Sequence, residues 1–391
     1  MTGRYVYMDH SATTAVDKSV LEAMLPFFSD KFGNPNSIHS WGRESRKAVD
    51  AARGKVASLI GADPGEIIFT GGGSEADNLA IKGAAFTHRD KGRHIITTAV
   101  EHHAVLDAFE WLHKEGFDVT VLPVDETGMV RIQDLEAAIR DDTILVSMMF
   151  ANNEVGTIQP VAEASALCRE RGIIFHVDGV QAVGHIPVDV RDLGIDMLTM
   201  SAHKMYGPKG VGGLYIRKGV RLEPIIHGGG QERGLRSGTE NTAGLVGFGA
   251  AADLAAKRLS DGSIDKETRL RNLLLDSVAG PIEEIFVTGH RTKRLPFHGS
   301  ICVGSLEGES MLLRLDAAGI GASSGSACTS GSLEPSYVLL AMGLSHETAH
   351  GSLRLTLGKD TTEEDIVYVA ENLKRIVTEL RALSPLWKNR G

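Results

Sequence analysis

The sequence contains few cysteines, and their arrangement argues against two classes of protein. The 391 residues include only three, Cys168, Cys302 and Cys328, an odd number without a CxxC pair. A disulfide framework or a four-ligand zinc site needs paired cysteines at characteristic spacings. We therefore expect a protein of the reducing cytoplasm that has no metal site of its own.

Long apolar runs and an excess of basic residues are also missing. No stretch reaches the roughly 20 apolar residues of a membrane helix, and the N-terminus lacks the apolar core of an export signal. The formal net charge is −9, whereas nucleic acids and anionic membranes reward a basic surface. The sequence predicts a soluble, unexported protein whose main partner is neither nucleic acid nor membrane.

The chain is long and apolar enough for two domains. Hydrophobic residues make up 42% of the 391 positions, which is sufficient for a large core in each domain. Apolar strand-like runs alternate with helical stretches, and repeated βα units predict a mainly parallel sheet with helices on both faces. We expect a large domain over 15–260, and a smaller α/β domain in which 261–391 are joined by 1–14.

Two apolar runs lead into residues with complementary chemistry. Lys204 closely follows a run that begins at Ile195, and Asp178 ends the run 172–178. Open α/β sheets bind ligands at strand ends. Pyridoxal phosphate (PLP) needs an amine to form a Schiff base and an anion to keep its pyridine nitrogen protonated. PLP binding is our leading hypothesis, and an ordinary salt bridge is the alternative.

A glycine-rich turn follows the strand-like run Glu66–Thr70. The turn 71–78 (GGGSEADN) leads into a helical stretch over 79–85. The exposed N–H groups of such a turn, together with the helix dipole, attract a phosphate group. No lysine follows the glycines as in a Walker A loop, which argues against a nucleoside triphosphate. A plain tight turn is the other interpretation.

Three motifs resemble the class V aminotransferase family of fold-type I PLP enzymes, and within it the group I cysteine desulfurases. Ser201–Lys204 (SAHK) resembles the cofactor-lysine signature, and His176–Gln181 (HVDGVQ) resembles the pyridine-nitrogen signature. Ser324–Ser330 (SGSACTS) narrows the match to the desulfurases. The resemblance covers nearly the whole chain. The family usually has glycine at Ala202 and alanine at Gly179, and neither departure removes a functional group.

The resemblance implies the residues of an active site. Lys204 would bind PLP and move the substrate α-proton, Asp178 would hold the pyridine nitrogen, and His102 would stack on the ring as a general acid and base. Asn153 would contact both cofactor and substrate. The other positions implied for the cofactor are Gly73, Ser74, Gln181, Ser201, His203 and, reaching the phosphate of the second subunit of a homodimer, Thr239.

Arg354 lies on an alternating strand-like stretch, 351–356. An inward-facing guanidinium needs an anionic partner, and its planar fork suits a carboxylate. The family places its substrate-binding arginine here, so the substrate carboxylate is the expected partner. A surface arginine on an edge strand is the alternative.

Cys328 lies in a Gly/Ser-rich stretch, 321–332, whose composition predicts a mobile, solvated loop. An exposed thiol is open to oxidation and exchange unless it is used, so we interpret Cys328 as a nucleophile. Cys168 lies in a helical stretch and Cys302 in a strand-like run, and we expect both to be structural.

The predicted activity is the PLP-dependent conversion of L-cysteine to L-alanine, with the sulfur transferred to a persulfide on Cys328. The resemblance implies an iron–sulfur scaffold protein or another sulfur acceptor as partner. On such a scaffold Cys328 could transiently ligate an iron–sulfur cluster. A selenocysteine lyase or an aminotransferase would use the same cofactor residues, and both stay open as alternatives.

Two further alternatives come from other classes of protein. Residues 321–325 (GASSG) fit the G-x-S-x-G motif of serine esterases, and 227–230 (HGGG) fit their oxyanion loop. However, the stretch after Ser323 is a poor helix sequence, whereas that motif needs a helix there. A sulfur-carrying scaffold without catalysis would account for Cys328 but not for Lys204 and Asp178.

Overall fold

The computed structural model of the protein describes residues 4–325, 334–383 and 387. The described strands are β1 (Val6–Tyr7), β2 (Ile67–Thr70), β3 (His94–Thr98), β4 (Asp118–Leu122), β5 (Thr143–Met149), β6 (Ile174–Asp178), β7 (Met197–Ser201), β8 (Gly212–Ile216), β9 (Ile285–Val287), β10 (His298–Val303), β11 (Ile320–Gly321) and β12 (Ser352–Thr356). The described α-helices are α1 (Lys18–Met24), α2 (Pro26–Ser29), α3 (Ser40–Leu59), α4 (Gly73–His88), α5 (His103–Lys114), α6 (Ile132–Ala138), α7 (Val161–Glu170), α8 (Thr242–Ser260), α9 (Ser263–Ala279), α10 (Gly308–Ala317), α11 (Tyr337–Ala341), α12 (His346–His350) and α13 (Glu363–Leu383).

Seven strands form the central sheet, in the order β2-β8-β7-β6-β5-β3-β4. Neighbours from β7 to β4 are parallel, whereas β8 runs antiparallel to both β7 and β2. Strands β5 and β7 are buried along their full length, which accounts for their nearly uninterrupted apolar sequences. The prediction of an α/β fold with a mainly parallel seven-stranded sheet between helices is confirmed.

Helices cover both faces of this sheet because successive strand residues point to opposite sides. In β2, Ile67 and Phe69 belong to a core cluster that includes Val56 of α3 and Phe248 of α8. Ile68, between them, belongs to a second cluster that α4 and α5 help to form. No helix within the described ranges is both long and apolar enough to cross a membrane.

A separate core cluster lies around a three-stranded antiparallel sheet in the order β12-β10-β9. Helices α9, α10 and α13 contribute to this cluster, and so does Val6 of β1. Strand β1 pairs in parallel with β11, and Asp9 pairs with Thr356. The N-terminal strand thus packs with C-terminal elements, while the domain limits 1–14, 15–260 and 261–391 stay a prediction.

The prediction of a mobile, solvated loop is wrong for residues 321–325. Gly321 pairs with Tyr7, Ser323 pairs with Arg354, and both Ser323 and Gly325 are buried. Backbone pairing holds this stretch in place, which its lack of apolar side chains did not indicate. No helix begins at residues 324–325, whereas the esterase motif needs a helix directly after its serine. Residues 326–333, which include Cys328, lie outside the described ranges.

Candidate active site

A cavity of about 520 Å³ lies where β5, β6 and β7 end. Parallel strands bring their C-terminal ends to one edge of the sheet, so residues distant in sequence meet there. The predicted site residues that line the cavity are Gly73, Ser74, His102, Asn153, Asp178, Gln181, Ser201, His203, Lys204 and Arg354. Thr239 is exposed and is not among the lining residues.

Lys204 enters the cavity from a short 3₁₀ turn that follows β7. Its Nζ donates hydrogen bonds to the main-chain carbonyls of Ser11, at 2.5 Å, and Ala12, at 2.8 Å. Gln181 Nε2 donates to the same Ser11 carbonyl at 3.0 Å. The N-terminal segment therefore orients the amine. Sequence reasoning assigned this segment no role, because main-chain acceptors leave no side-chain signal.

Asp178 ends β6, and only 6% of it is exposed. Its Oδ1 accepts a hydrogen bond from the Val180 N–H at 2.9 Å. Burial raises the pKa of Asp178, although that N–H and the charges of His102 and Lys204 oppose the shift. A buried carboxylate in this position is stabilised by a cation, and a protonated pyridine nitrogen is such a cation.

The first turn of the 16-residue helix α4 borders the cavity through Gly73 and Ser74. A Cβ atom at Gly73 would lie 2.9 Å from Val180 Cγ2, and one at Gly212 would lie 2.5 Å from the carbonyl carbon of Gly72. These close approaches require glycine. The helix begins six residues before the predicted start at 79, so its N-terminal N–H groups are placed to hold an anion such as the phosphate of PLP.

Two imidazoles border the cavity, and burial lowers the pKa of both. His102 Nδ1 accepts the Ala104 N–H at 3.1 Å, which places the ring proton on Nε2. Burial lowers the pKa of His102, although the charge of Asp178 opposes this shift. His203 Nδ1 lies 3.1 Å from Thr13 Oγ1, and burial lowers its pKa to about 4. In this tautomer Nδ1 is occupied by the Ala104 N–H and Nε2 is a donor, so the ring is set to act as an acid, which is one half of its predicted role.

Arg354 is 2% exposed, which rules out the alternative of a surface arginine. Its Nη2 donates to Asp9 Oδ1 at 2.9 Å, and its Nη1 donates to the Asn153 carbonyl at 3.1 Å. Arg354 Nε and Asn153 Oδ1 have no hydrogen-bond partner among the described residues. The anion that sequence reasoning expected from a substrate is therefore already supplied by Asp9. A substrate carboxylate has to use the remaining N–H groups or displace Asp9.

Two further buried carboxylates were missed by sequence reasoning. Asp77 lines the cavity from α4, and its Oδ1 lies 3.6 Å from His176 Nε2. Burial, followed by the charge of Asp178, raises the pKa of Asp77 well above its usual range. Glu101 precedes His102, and burial raises its pKa to about 8. The sequence carried one weak signal for each residue. Asp77 lies in the first turns of α4, and Glu101 lies three residues after the buried strand β3.

The raised pKa of Glu101 leads to a testable pH dependence. The folded protein keeps a proton that the unfolded chain loses above its ordinary pKa of 4.5. Protonated Glu101 therefore makes its full contribution to the free energy of unfolding below pH 4.5. This contribution is lost as the pH rises through the folded pKa of about 8. We expect the free energy of unfolding to fall by up to about 1.4 kcal/mol per pH unit across neutral pH.

Urea unfolding of wild type and Glu101→Gln at several pH values between about 6 and 8 measures this contribution. The amide cannot release a proton, so the variant should show a flatter pH dependence. Glu110→Gln is the matched control, because Glu110 is an exposed surface residue paired with Lys114. Equal slopes for wild type and Glu101→Gln would contradict the assignment.

The described cysteines are buried free thiols, as predicted. Cys168 and Cys302 have no exposed surface, and burial raises the pKa of each to about 12. A thiol with so high a pKa supplies almost no thiolate at neutral pH. Within the described ranges, no group of His, Cys, Asp and Glu side chains is arranged to hold a metal ion.

A lysine and an aspartate at neighbouring strand ends, beside a helix N-terminus, define a fold-type I PLP-dependent enzyme. The chain belongs to the class V aminotransferase family, whose sequence model matches residues 6–369. It is 54% identical over 388 residues to the cysteine desulfurase IscS of Clostridium botulinum, an alignment that covers 99% of this chain and 98% of that protein.

Solved structures are similar along nearly the whole chain. A NifS-like protein matches with a TM-score of 0.90 and 40% identity, covering 96% of this chain and 100% of its own. SspA, solved in complex with cysteine, matches with a TM-score of 0.81 and 36% identity, covering 91% of this chain and 99% of its own.

Proposed function

We propose that the protein is a cysteine desulfurase that converts L-cysteine to L-alanine and takes the sulfur as a persulfide on Cys328. The observation that carries this proposal is the single cavity that contains Lys204, Asp178 and Arg354. The full-length similarity to an IscS protein supports the choice of cysteine over other amino acids.

The cavity residues fit PLP at both of its ends. Asp178 would hold the pyridine nitrogen, and the N-terminus of α4 at Gly73 and Ser74 would hold the phosphate. When bound, PLP supplies an electron sink for the pair left behind when the substrate loses its α-proton. Lys204 Nζ would remove that proton, because the Ser11 and Ala12 carbonyls keep the amine inside the cavity. His102 would serve as the general acid and base for the remaining proton transfers.

Substrate recognition would rest on Arg354 and Asn153. The two residues meet through the hydrogen bond from Arg354 Nη1 to the Asn153 carbonyl, so both can contact one substrate. The Arg354 N–H groups suit its carboxylate, whereas Asn153 Oδ1 can accept from its amine. Arg354 Nε and Asn153 Oδ1, which have no partner among the described residues, are the groups that a substrate would satisfy. Leaving buried polar groups unsatisfied costs free energy that a bound amino acid recovers.

Removal of Arg354 tests this assignment. We expect Arg354→Ala to raise the KM for cysteine roughly 30-fold or more, the equivalent of about 2–5 kcal/mol for losing one partner of a buried charge pair. Arg381→Ala is the matched control, because Arg381 is a similarly buried arginine that donates to the Glu283 and Gly304 carbonyls instead. Steady-state kinetics measure both, and an unchanged KM in Arg354→Ala would refute the role.

The sulfur transfer balances without an outside oxidant. Cysteine and the Cys328 thiol give alanine and a persulfide, so the substrate C–S bond breaks and an S–S bond forms. The substrate carbon gains an electron pair and a proton, while both sulfur atoms are oxidised by one electron each. Gly325, three residues before Cys328, packs against Glu154, the neighbour of Asn153.

The partners and location belong to the same proposal. The family resemblance implies a homodimer, in which Thr239 would reach the phosphate bound to the second subunit; Thr239 is exposed and does not line the cavity of its own chain. An iron–sulfur scaffold protein or another sulfur acceptor would then receive the persulfide sulfur. The buried, unpaired state of Cys168 and Cys302 agrees with a cytoplasmic location.

Product analysis tests the proposed function. The PLP-loaded protein is mixed in separate assays with L-cysteine, L-alanine and L-selenocysteine, and alanine, total sulfur transferred and keto acids are measured. We expect alanine and sulfur in equal amounts and no keto acid. A keto acid product would indicate an aminotransferase, and turnover restricted to selenocysteine would indicate a selenocysteine lyase.

A further inference from the structure

Asp9 is the carboxylate that faces Arg354 in the cavity, and it takes no part in the steps of the proposed reaction. Both residues line the cavity, and Asp9 Oδ1 accepts a hydrogen bond from Arg354 Nη2 at 2.9 Å. Within the described ranges, no other carboxylate forms an ion pair with Arg354. The Asp9 side chain is 18% exposed, against 2% for Arg354. Asp9 therefore supplies the counter-ion of a buried guanidinium and still has access to the cavity.

The main chain of Asp9 is held in place by two contacts. Asp9 pairs with Thr356 of β12, and its carbonyl accepts the Ala12 N–H at 3.0 Å. The turn that this bond closes presents two main-chain carbonyls to Lys204. Movement of the Asp9 carboxylate is therefore limited to rotation of its side chain.

The side chain of Asp9, in contrast, is held by a single contact. The bond from Arg354 is the only hydrogen bond that the Asp9 carboxylate accepts from the described residues. A contact through one oxygen is weaker than the two parallel bonds that a carboxylate can form with an arginine. Because the side chain is partly exposed, water can replace the bond when it is lost. The ion pair is thus one that a second carboxylate can replace.

The guanidinium of Arg354 has no pair of adjacent nitrogens that excludes the one bound to Asp9. Bidentate binding uses either Nε with Nη2 or Nη1 with Nη2. Nη2 donates to Asp9, Nη1 donates to the Asn153 carbonyl at 3.1 Å, and Nε has no partner among the described residues. A substrate carboxylate that takes two bonds therefore has to bind at the nitrogen that Asp9 already occupies.

We propose that Asp9 competes with the carboxylate of the bound amino acid for Arg354, and thereby limits the affinity of the site for substrate and product. Cysteine and alanine carry the same α-carboxylate, so a guanidinium without a competing anion would hold both more tightly. Tighter binding of this uniform kind lowers the KM without speeding the chemical step. Asp9 acts through Arg354 as a positioning residue for binding and release. The inference rests on the proposed function, in which Arg354 binds the substrate carboxylate.

Asp9→Asn tests the proposal, because the amide oxygen can still accept the Nη2 hydrogen bond but carries no charge. Titration of the PLP-loaded enzyme with L-alanine, followed in the visible spectrum, measures the Kd. We expect this Kd and the KM for cysteine both to fall about fivefold or more, as the coupling between residues of one ion pair allows. A residue that only orients Arg354 would raise both constants when replaced, so an unchanged or raised Kd would overturn the inference.

Asp365→Asn is the matched control. The Asp365 side chain is 21% exposed and pairs with Arg4 at 2.6 Å, so it also ties the N-terminal segment to a C-terminal element, but it does not line the cavity. This variant should leave the Kd and the KM unchanged. A double variant of Asp9→Asn with Arg354→Gln should bind alanine no more tightly than Arg354→Gln alone, because no guanidinium is left to compete for. Tightening that persisted without Arg354 would also overturn the inference.

A crystal structure of the wild-type enzyme with L-alanine needs no variant and decides the matter if Asp9→Asn fails to fold. We expect the alanine carboxylate on Nε and Nη2 of Arg354, with the Asp9 carboxylate rotated out of hydrogen-bond distance. An Asp9–Arg354 bond that stays intact beside the bound carboxylate would overturn the inference. Failure of the proposed function would be seen separately, as wild type that releases no alanine from cysteine, since the alanine titration does not depend on sulfur transfer.

Discussion

Replacing Lys204 with alanine is expected to abolish cysteine turnover while the fold survives. The substitution removes the amine that the Ser11 and Ala12 carbonyls orient in the cavity. A positioned acid–base group contributes roughly 10²–10⁴-fold to a rate, and we expect a loss at or above the upper end because this amine would also bind the cofactor. The buried sheet does not depend on this side chain, which is only half-buried.

Alanine release measures the loss, and borohydride reduction gives a second observation. In wild type, reduction should attach the yellow cofactor to the peptide that contains Lys204, whereas Lys204→Ala should yield no labelled peptide. Lys209→Ala is the matched control, since Lys209 is an exposed lysine five residues further along. Near-normal turnover by Lys204→Ala, or labelling of another lysine in wild type, would show that the central assignment is wrong.

Cys328→Ala should fail at a different stage of the same reaction. The variant keeps Lys204, Asp178 and Arg354, so cysteine should still bind and change the visible spectrum of the PLP-loaded protein. Alanine should not be released, and no persulfide should form. We expect turnover to fall by roughly a thousandfold or more, as in other enzymes that lose their nucleophile.

Single-turnover spectroscopy, alanine quantitation and mass detection of a persulfide on each cysteine measure this outcome. Cys168→Ala and Cys302→Ala are the controls, because both thiols are fully buried and their raised pKa of about 12 keeps them protonated. They should keep near-normal turnover at a modest cost in stability. A persulfide on either of them, or normal alanine release by Cys328→Ala, would refute the assignment of Cys328 as the sulfur acceptor.

Local patterns were enough to predict the sheet and the centre of the site. The apolar runs that became β5 and β7 can be stable only when both faces are covered, so their composition indicates a parallel sheet between helices. Parallel strands end at one edge, and the residues at those ends, Asp178 and Lys204, meet there whatever the details of packing. The glycines before α4 indicated where a phosphate group would bind, because a glycine-rich turn before a helix exposes main-chain N–H groups.

The contacts that orient these groups could not be read from local patterns. Asp9 pairs with Arg354 across 345 positions of sequence, and Lys204 donates to Ser11 across 193 positions. Such pairs depend on how the N-terminal and C-terminal elements pack together, and one partner is often a main-chain carbonyl with no identity in the sequence.

Burial was equally beyond the sequence. The pKa values of Glu101 and Glu154 are raised because the folded chain removes them from water, and nothing in the neighbouring residues records that loss. The ordered stretch 321–325 was missed for a related reason: backbone hydrogen bonds to β1 and β12 hold it, and these bonds form only when distant strands are brought together.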